Sequence, residues 1–188
     1  MTGQILNLYH IEPLSLVNGP GKRSVVWVQG CTLNCPGCFN PQTHPALASK
    51  DWPVDRLVKL ILERKNEIEG ITISGGEPLQ QIKPLIELVR KVKDQSGLSI
   101  LVFSGFTWDE IQRIPGVHLL LRQLDVLIAG RYLASKRLAS GLIGSSNKTI
   151  HFLTERYKMA DLILVPGAEV LLNPNGEIVL SGIDPLRW

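Results

Sequence analysis

Outside residues 31–38 the chain has no cysteine, and the three found there are an odd number, so no disulfide framework is available. The chain also lacks any run of 18 apolar residues, and it lacks a charged start leading into an apolar signal core. The expectation is therefore a cytoplasmic protein without a membrane span. Charge of one sign is scarce as well: 20 Lys and Arg against 17 Asp and Glu give a formal net charge of +3. The basic clusters Arg64-Lys65 and Arg90-Lys91-Val92-Lys93 lie near the ends of amphipathic stretches, where cations complement a helix dipole. Without interleaved aromatics or a binding motif they do not make a nucleic-acid surface. No repeat, low-complexity segment or linker interrupts the chain. Its 188 residues, 44% of them hydrophobic, suffice for one domain with its own core.

What is present is concentrated in Cys31-Thr32-Leu33-Asn34-Cys35-Pro36-Gly37-Cys38, a C-x3-C-x2-C motif. Thiolate sulfur selects zinc or iron-sulfur clusters. Structural zinc takes four protein ligands, and ordinary cluster proteins use four cysteines. Three cysteines suit a four-iron four-sulfur cluster held by Cys31, Cys35 and Cys38, with one iron left open to a substrate or cofactor. The alternative adds His44, which completes C-x3-C-x2-C-x5-H and could close a Cys3His zinc site. Otherwise His44 is a loop residue between Thr43 and Pro45.

Short apolar runs at 25–28, 71–73, 100–103, 126–129 and 162–165 read as strands buried on both faces, the pattern of a parallel sheet. Helical spacing appears between them. Val54, Leu57, Val58 and Ile61 share one face, with Asp51 as a possible cap and Pro53 in the first turn; Leu79, Ile82, Leu85, Ile86, Val89 and Val92 share another. Thr107 and Glu110 have capping-box spacing. Alternating strands and helices predict an α/β fold. Ligands in such folds bind at the carboxyl ends of the strands, and the cysteine loop, Gly75-Gly76, Ser104-Gly105 and Gly130-Arg131 each follow a predicted strand. Towards the end, 169–173 and 177–181 flank the turn signal Asn173-Pro174-Asn175-Gly176, which predicts a β-hairpin. Its expected role is to cover a sheet edge, with partner docking as the alternative.

Together with Ser74-Gly75-Gly76-Glu77-Pro78, the cysteine motif resembles the signature of the radical S-adenosylmethionine (SAM) enzymes. Further segments occur in order: Asn18-Gly19-Pro20-Gly21-Lys22-Arg23, Cys35-Pro36-Gly37-Cys38, Ser104-Gly105-Phe106-Thr107, Gly130-Arg131-Tyr132 and Gly144-Ser145-Ser146-Asn147. The set resembles the activating proteins of anaerobic ribonucleotide reductase, which are glycyl-radical activases. The resemblance covers about residues 5–153. It divides the expected single domain 1–188 into an activase-like core, 1–153, and an extension, 154–188, without a counterpart.

The resemblance implies an incomplete (β/α) barrel of about six mainly parallel strands, open on one side to a large substrate. It implies a four-iron four-sulfur cluster on Cys31, Cys35 and Cys38, with SAM at the open iron. One electron then breaks a carbon-sulfur bond of SAM, and a hydrogen atom is taken from a glycine of a larger glycyl radical enzyme. Gly37, Cys38 and Phe39 would lie by the adenosine, Phe39 either packing on the adenine or serving as a core aromatic. Ser74, Gly75, Gly76 and Glu77 would hold the methionine end. Ser104 and Gly105 would contact the ribose or carboxylate, or else form a helix-entry turn. A low-potential electron donor such as flavodoxin or ferredoxin is implied. Relatives often have an acidic residue where this chain has Ala129, so an added cation beside the cofactor is not expected. Two other readings remain: a radical modifier of another peptide or small molecule, and a non-catalytic metal-binding or electron-transfer module.

Overall fold

Four of the five apolar runs become neighbouring parallel strands: β2 (Arg23–Val28), β4 (Gly70–Gly75), β5 (Ser99–Ser104) and β6 (Val126–Ala129). The computed structural model describes residues 3–46, 51–140, 142–172, 176 and 178–183. The sheet is completed by β1 (Ile5–Ser15), antiparallel to β2, by β3 (Asp51–Pro53), antiparallel to β1, and by β9 (Thr149–Phe152), antiparallel to β6. Its strand order is β3-β1-β2-β4-β5-β6-β9. The fold is thus α/β around a large mixed sheet with a parallel centre.

Helices α1 (Val54–Leu62), α2 (Ile82–Gln95), α3 (Trp108–Gln112) and α4 (Val117–Leu121) fall between the parallel strands in sequence. In α1 the buried residues are Val54, Leu57, Val58 and Ile61, one face at helical spacing. Asp51 does not cap it. It pairs with Asn7 in β3, and Val54 N–H instead donates to the Gln4 carbonyl at 2.9 Å, so backbone does the capping. Leu79 lies in a 3-10 turn, Pro78–Gln81, ahead of α2, whose Leu85, Leu88, Val89 and Val92 are buried. The capping box of α3 is present between Thr107 and Glu110.

The central strands feed two cores. Ile100 and Val102 of β5 and Leu127 of β6 join the helices in the main cluster, while Leu101, Val126 and Ile128 meet Leu142, Leu162 and Val165 on the other face. This is why these strands read as unbroken apolar runs. Each fully buried Leu, Ile or Val contributes roughly 1.5–3 kcal/mol, so these layers dominate stability.

The fifth run was expected as a strand and is not one. Residues 162–165 span the end of α5 (Met159–Ile163) and the turn after it. The Asp161 carboxylate accepts the Lys158 N–H at 2.7 Å and starts a helical turn. Leu162 and Val165, three apart, are buried, whereas Ile163 and Leu164 are 62% and 80% exposed, which is a helical rather than an alternating pattern.

The C-terminal hairpin is present as β10 (Ala168–Leu172) and β11 (Ile178–Gly182), registered from Ala168↔Gly182 to Leu172↔Ile178. Residues 173–175 of its predicted turn lie outside the described residues. The hairpin is a separate two-stranded sheet and does not extend the large sheet's ladder. It is fixed instead to the end of β1: Ser15 Oγ and Leu16 N–H donate to the Glu169 carboxylate at 2.6 and 2.9 Å. A further small sheet pairs β7 (Arg137–Ser140) with β8 (Ile143–Ser145). Among the described residues, no helix is long and apolar enough to cross a membrane.

Arg23 closes the amino ends of the parallel strands. It is fully buried and donates to Thr72 Oγ1 at 2.7 Å, Ser99 Oγ at 2.9 Å, the Ile71 carbonyl at 2.6 Å and Tyr157 OH at 3.3 Å. Burial pushes its pKa down, while Tyr157 acts against that shift. Tyr157 belongs to the extension, so the same guanidinium ties residues beyond 153 to the core.

Candidate active site

The opposite ends of the strands surround one cavity. Cys31, Cys35 and Cys38 line it, together with Ser74-Gly75-Gly76-Glu77 from the end of β4 and Ser104-Gly105 from the end of β5. Phe39, His44 and Lys148 line it too. Gly37 does not line it; its φ of +72° makes the bend between Cys35 and Cys38.

The cysteine loop is held by backbone. Gly30 N–H donates to the Thr43 carbonyl at 2.8 Å, Cys31 N–H to the His44 carbonyl at 3.0 Å, and Cys38 N–H to the Cys35 carbonyl at 3.1 Å. All three thiols are free and half-buried. Burial, with the nearby Glu77 carboxylate adding to it, pushes the Cys31 thiol pKa up, and a bound metal centre would stabilise the thiolate there. Among the described residues, no three Cys, His, Asp or Glu side chains close on one point as the ligands of a single ion do.

The glycines of the turn are required by close backbone packing. Gly75 has φ +102°, and a Cβ on it would lie 2.5 Å from the Val28 carbonyl oxygen. On Gly76 it would lie 2.3 Å from the Gly30 carbonyl oxygen and 3.1 Å from that of Thr43. The turn is thus pressed against the root of the cysteine loop. Gly76 N–H donates to the Val28 carbonyl at 2.8 Å and Glu77 N–H to the Gly30 carbonyl at 2.9 Å. With those N–H groups engaged, the turn can offer carbonyl oxygens, which accept from an amino group.

Glu77 lines the cavity, is fully buried, and has its carboxylate engaged by the chain's own donors. Its carboxylate accepts from Leu79 N–H at 2.9 Å, Ser104 Oγ at 2.9 Å and Gly105 N–H at 2.6 Å. Burial raises its pKa, against the pull of these donors and of Lys148. It therefore clamps the β4 turn to the β5 turn. A Cβ on Gly105 would meet Leu33 Cδ1 at 2.4 Å and the Glu77 carboxylate at 3.3 Å, so a side chain there would displace Leu33. Phe39 packs against Tyr132 with ring centroids 4.5 Å apart and against Gly144, whose Cβ would strike the ring at 2.6 Å. Gly144-Ser145-Ser146-Asn147 thus shapes the cavity wall through its glycine.

Sequence reasoning missed Lys148. It is half-buried, lines the cavity and donates through Nζ to the Gly130 carbonyl; Cys35, Glu77 and Cys38 oppose the lowering of its pKa by burial. Nothing in local pattern marks it, beyond its place directly after Asn147. Arg131, by contrast, is engaged elsewhere: its guanidinium forks onto Glu110 at 2.7 and 2.9 Å. That ion pair, with the Thr107 N–H, holds the Glu110 carboxyl at a pKa of about 2, below its ordinary 4.5. A depressed carboxylate stabilises the fold above its unfolded pKa and loses that contribution as pH falls through the folded one. Glu110→Gln should therefore lower stability at neutral pH, by about 1 kcal/mol or less for so exposed a pair. The difference from wild type should vanish between pH 4.5 and about 2, as followed by urea unfolding at several pH values.

Residues 17–151 match the family described as the 4Fe-4S single cluster domain. The anaerobic ribonucleoside-triphosphate reductase-activating protein of Salmonella typhi is 31% identical over 77% of this chain and 98% of its own length. The chain belongs to that family of activating proteins. The Escherichia coli K12 protein of the same name is 29% identical over 79% of this chain and 99% of its own. The pyruvate formate-lyase-activating enzyme of Clostridium pasteurianum is 34% identical over 57% and 47%. These are radical SAM activases, and the cofactors of the family are a four-iron four-sulfur cluster and SAM. The site fits both. It offers three cysteines lining one cavity, the Gly75-Gly76 turn in the same lining, and a cation, Lys148, close enough for Cys35 and Cys38 to act on its charge.

Proposed function

We propose that this protein is a radical SAM oxidoreductase that takes a hydrogen atom from a glycine of a larger glycyl radical enzyme, an anaerobic ribonucleotide reductase being the favoured partner. The observation that carries the reading is the meeting, in one cavity, of three free thiols and the Gly75-Gly76 turn, in a chain of the activase family. When bound, cluster and cofactor supply a one-electron reductive cleavage of a carbon-sulfur bond and thereby the means of hydrogen abstraction.

The residues have separate tasks. Cys31, Cys35 and Cys38 would hold the cluster by three thiolates. Carbonyls of the Ser74-Gly75-Gly76 turn would orient the amino group of SAM, and Glu77 keeps that turn in register with Ser104 and Gly105. Phe39, braced by Tyr132, would give the adenosine an apolar wall. Lys148 would offset the negative charge of the thiolates and bind an anionic group in the cavity. The strands carrying these loops would form the wall of an incomplete (β/α) barrel, a reading supported by the placing of the loops at the carboxyl ends of parallel strands. A cytoplasmic low-potential donor, such as flavodoxin or ferredoxin, would supply the electron.

The test is electron paramagnetic resonance of the reduced, reconstituted protein with SAM and the cognate reductase. A glycyl-radical doublet is expected, and it should be lost when the acceptor glycine is replaced by alanine. Cofactor cleavage without that doublet, together with radical modification of a different partner, would reject the activase assignment and leave the chemistry standing.

A further inference from the structure

The family match ends at residue 151, and the Escherichia coli relative aligns to 79% of this chain while using 99% of its own length. Yet the cavity does not end with the matched residues. Gly182 and Ile183, at the outgoing end of β11, line it alongside Val17 and Asn18. We infer that the C-terminal hairpin is a wall of the active cavity, fixed there to set which partner segment can reach the reacting centre. The inference rests on the activase reading above.

The hairpin is built to reach that position. Glu169 on β10 accepts from Ser15 Oγ and Leu16 N–H, and on the paired strand Ser181 Oγ accepts from Asn18 Nδ2 at 3.1 Å. Glu169 and Ser181 are register partners, so both strands are anchored at one level to the segment after β1. Just beyond that level the chain turns at Gly182, with φ +125°, where a Cβ would lie 2.3 Å from the Gly167 carbonyl oxygen. Ile183 N–H then donates to that same carbonyl at 3.0 Å. Anchor, glycine turn and hydrogen bond together deliver Ile183 to the cavity.

The chemistry of the wall identifies its occupant. The cluster and SAM are served by residues within 31–148. Ile183, Gly182, Val17, Leu142 and Gly144 are aliphatic or lack a side chain, and the polar Asn18 beside them donates its amide N–H groups to Ser15 and Ser181, so this wall offers no charge. Such a wall suits an extended, uncharged peptide segment with a glycine at its tip, while the cavity's charged groups, Glu77 and Lys148, lie on the cofactor-binding loops.

Two measurements on full-length protein test this, one of them independent of any partner. In Ile183→Ala, and in Glu169→Ala, where the anchor is cut, a hydrophilic iron chelator should bleach the reconstituted cluster several-fold faster than in wild type. Glu169→Gln keeps an acceptor oxygen and should bleach at a rate close to wild type. With the partner enzyme, Ile183→Trp should raise KM for that protein several-fold with a smaller change in kcat, while Ile183→Ala should release more 5'-deoxyadenosine per glycyl radical formed. Thermal unfolding of each variant separates a moved wall from a damaged fold. Wild-type bleaching rates in both alanine variants, with fold and cluster content intact, would overturn the inference. Faster bleaching without any glycyl radical in wild type would keep the wall and reject the activase reading instead.

Discussion

Replacing any one of Cys31, Cys35 and Cys38 by alanine abolishes stable cluster binding, whereas His44→Ala leaves it intact. The chain holds 3 cysteines in all, so no other thiol can take over a lost position. Removing one thiolate leaves two protein ligands on a cluster that already has an iron without one. His44 contributes through its backbone carbonyl, which accepts the Cys31 N–H, and alanine retains that carbonyl. Iron and sulfide analysis after anaerobic reconstitution should give about four of each per wild-type chain and per His44→Ala chain, as a cubane requires. The cysteine variants should retain almost none. Loss of metal in His44→Ala would revive the Cys3His zinc site.

Glu77→Ala should be the most damaging change outside the ligands. It leaves the N–H groups of Leu79 and Gly105 and the Ser104 hydroxyl without their acceptor in a fully buried place. Each unmet buried group costs about 1–3 kcal/mol, so the loss should be roughly 3–5 kcal/mol, a large part of an ordinary domain's stability. At this chain length that corresponds to a melting point lowered by about 10 °C. Glu77→Gln keeps one oxygen for Leu79 and Ser104 but turns an amide towards Gly105, and should cost about 1–3 kcal/mol. Because Glu77 joins the turns after β4 and β5, both variants should also bind SAM more weakly, alanine more than glutamine. Thermal unfolding and equilibrium SAM binding measure the two effects separately. Unchanged stability in Glu77→Ala would mean that the clamp is not what joins the two turns.

The central strands were legible because burial on both faces writes itself as unbroken apolar runs, and α1 and α2 because one buried face repeats at helical spacing. β1 was missed for the opposite reason. It mixes buried Leu6 and Leu8 with His10, Glu12 and Pro13, and it is interrupted by register shifts, so neither a run nor a clean alternation survives. β9, with Thr149 exposed and the next three residues half-buried, is an outer strand with little apolar signal. The run at 162–165 misled because four consecutive apolar residues fit a strand and a helical turn equally well. Only burial of Leu162 and Val165 alone separates them.

At the site, the three thiols were legible as chemistry, and the loops after the parallel strands as location. The partners that give Gly76 and Glu77 their roles were not, because they lie far away in sequence. Gly76 is required by Gly30 and Thr43, and Glu77 by Ser104 and Gly105. Lys148 was invisible for the same reason: a lysine in a polar loop reads as solvated until the fold brings it into the cavity that the cysteines line.

The most direct test of the central claim, that the cysteine loop and the Gly75-Gly76 turn form one cluster and SAM site, is product analysis of anaerobically reconstituted, reduced protein given SAM. The expected result is release of 5'-deoxyadenosine and methionine in equal amounts, dependent on reductant and absent in the cysteine variants. Stoichiometric zinc, no labile sulfide and intact SAM after incubation would contradict it.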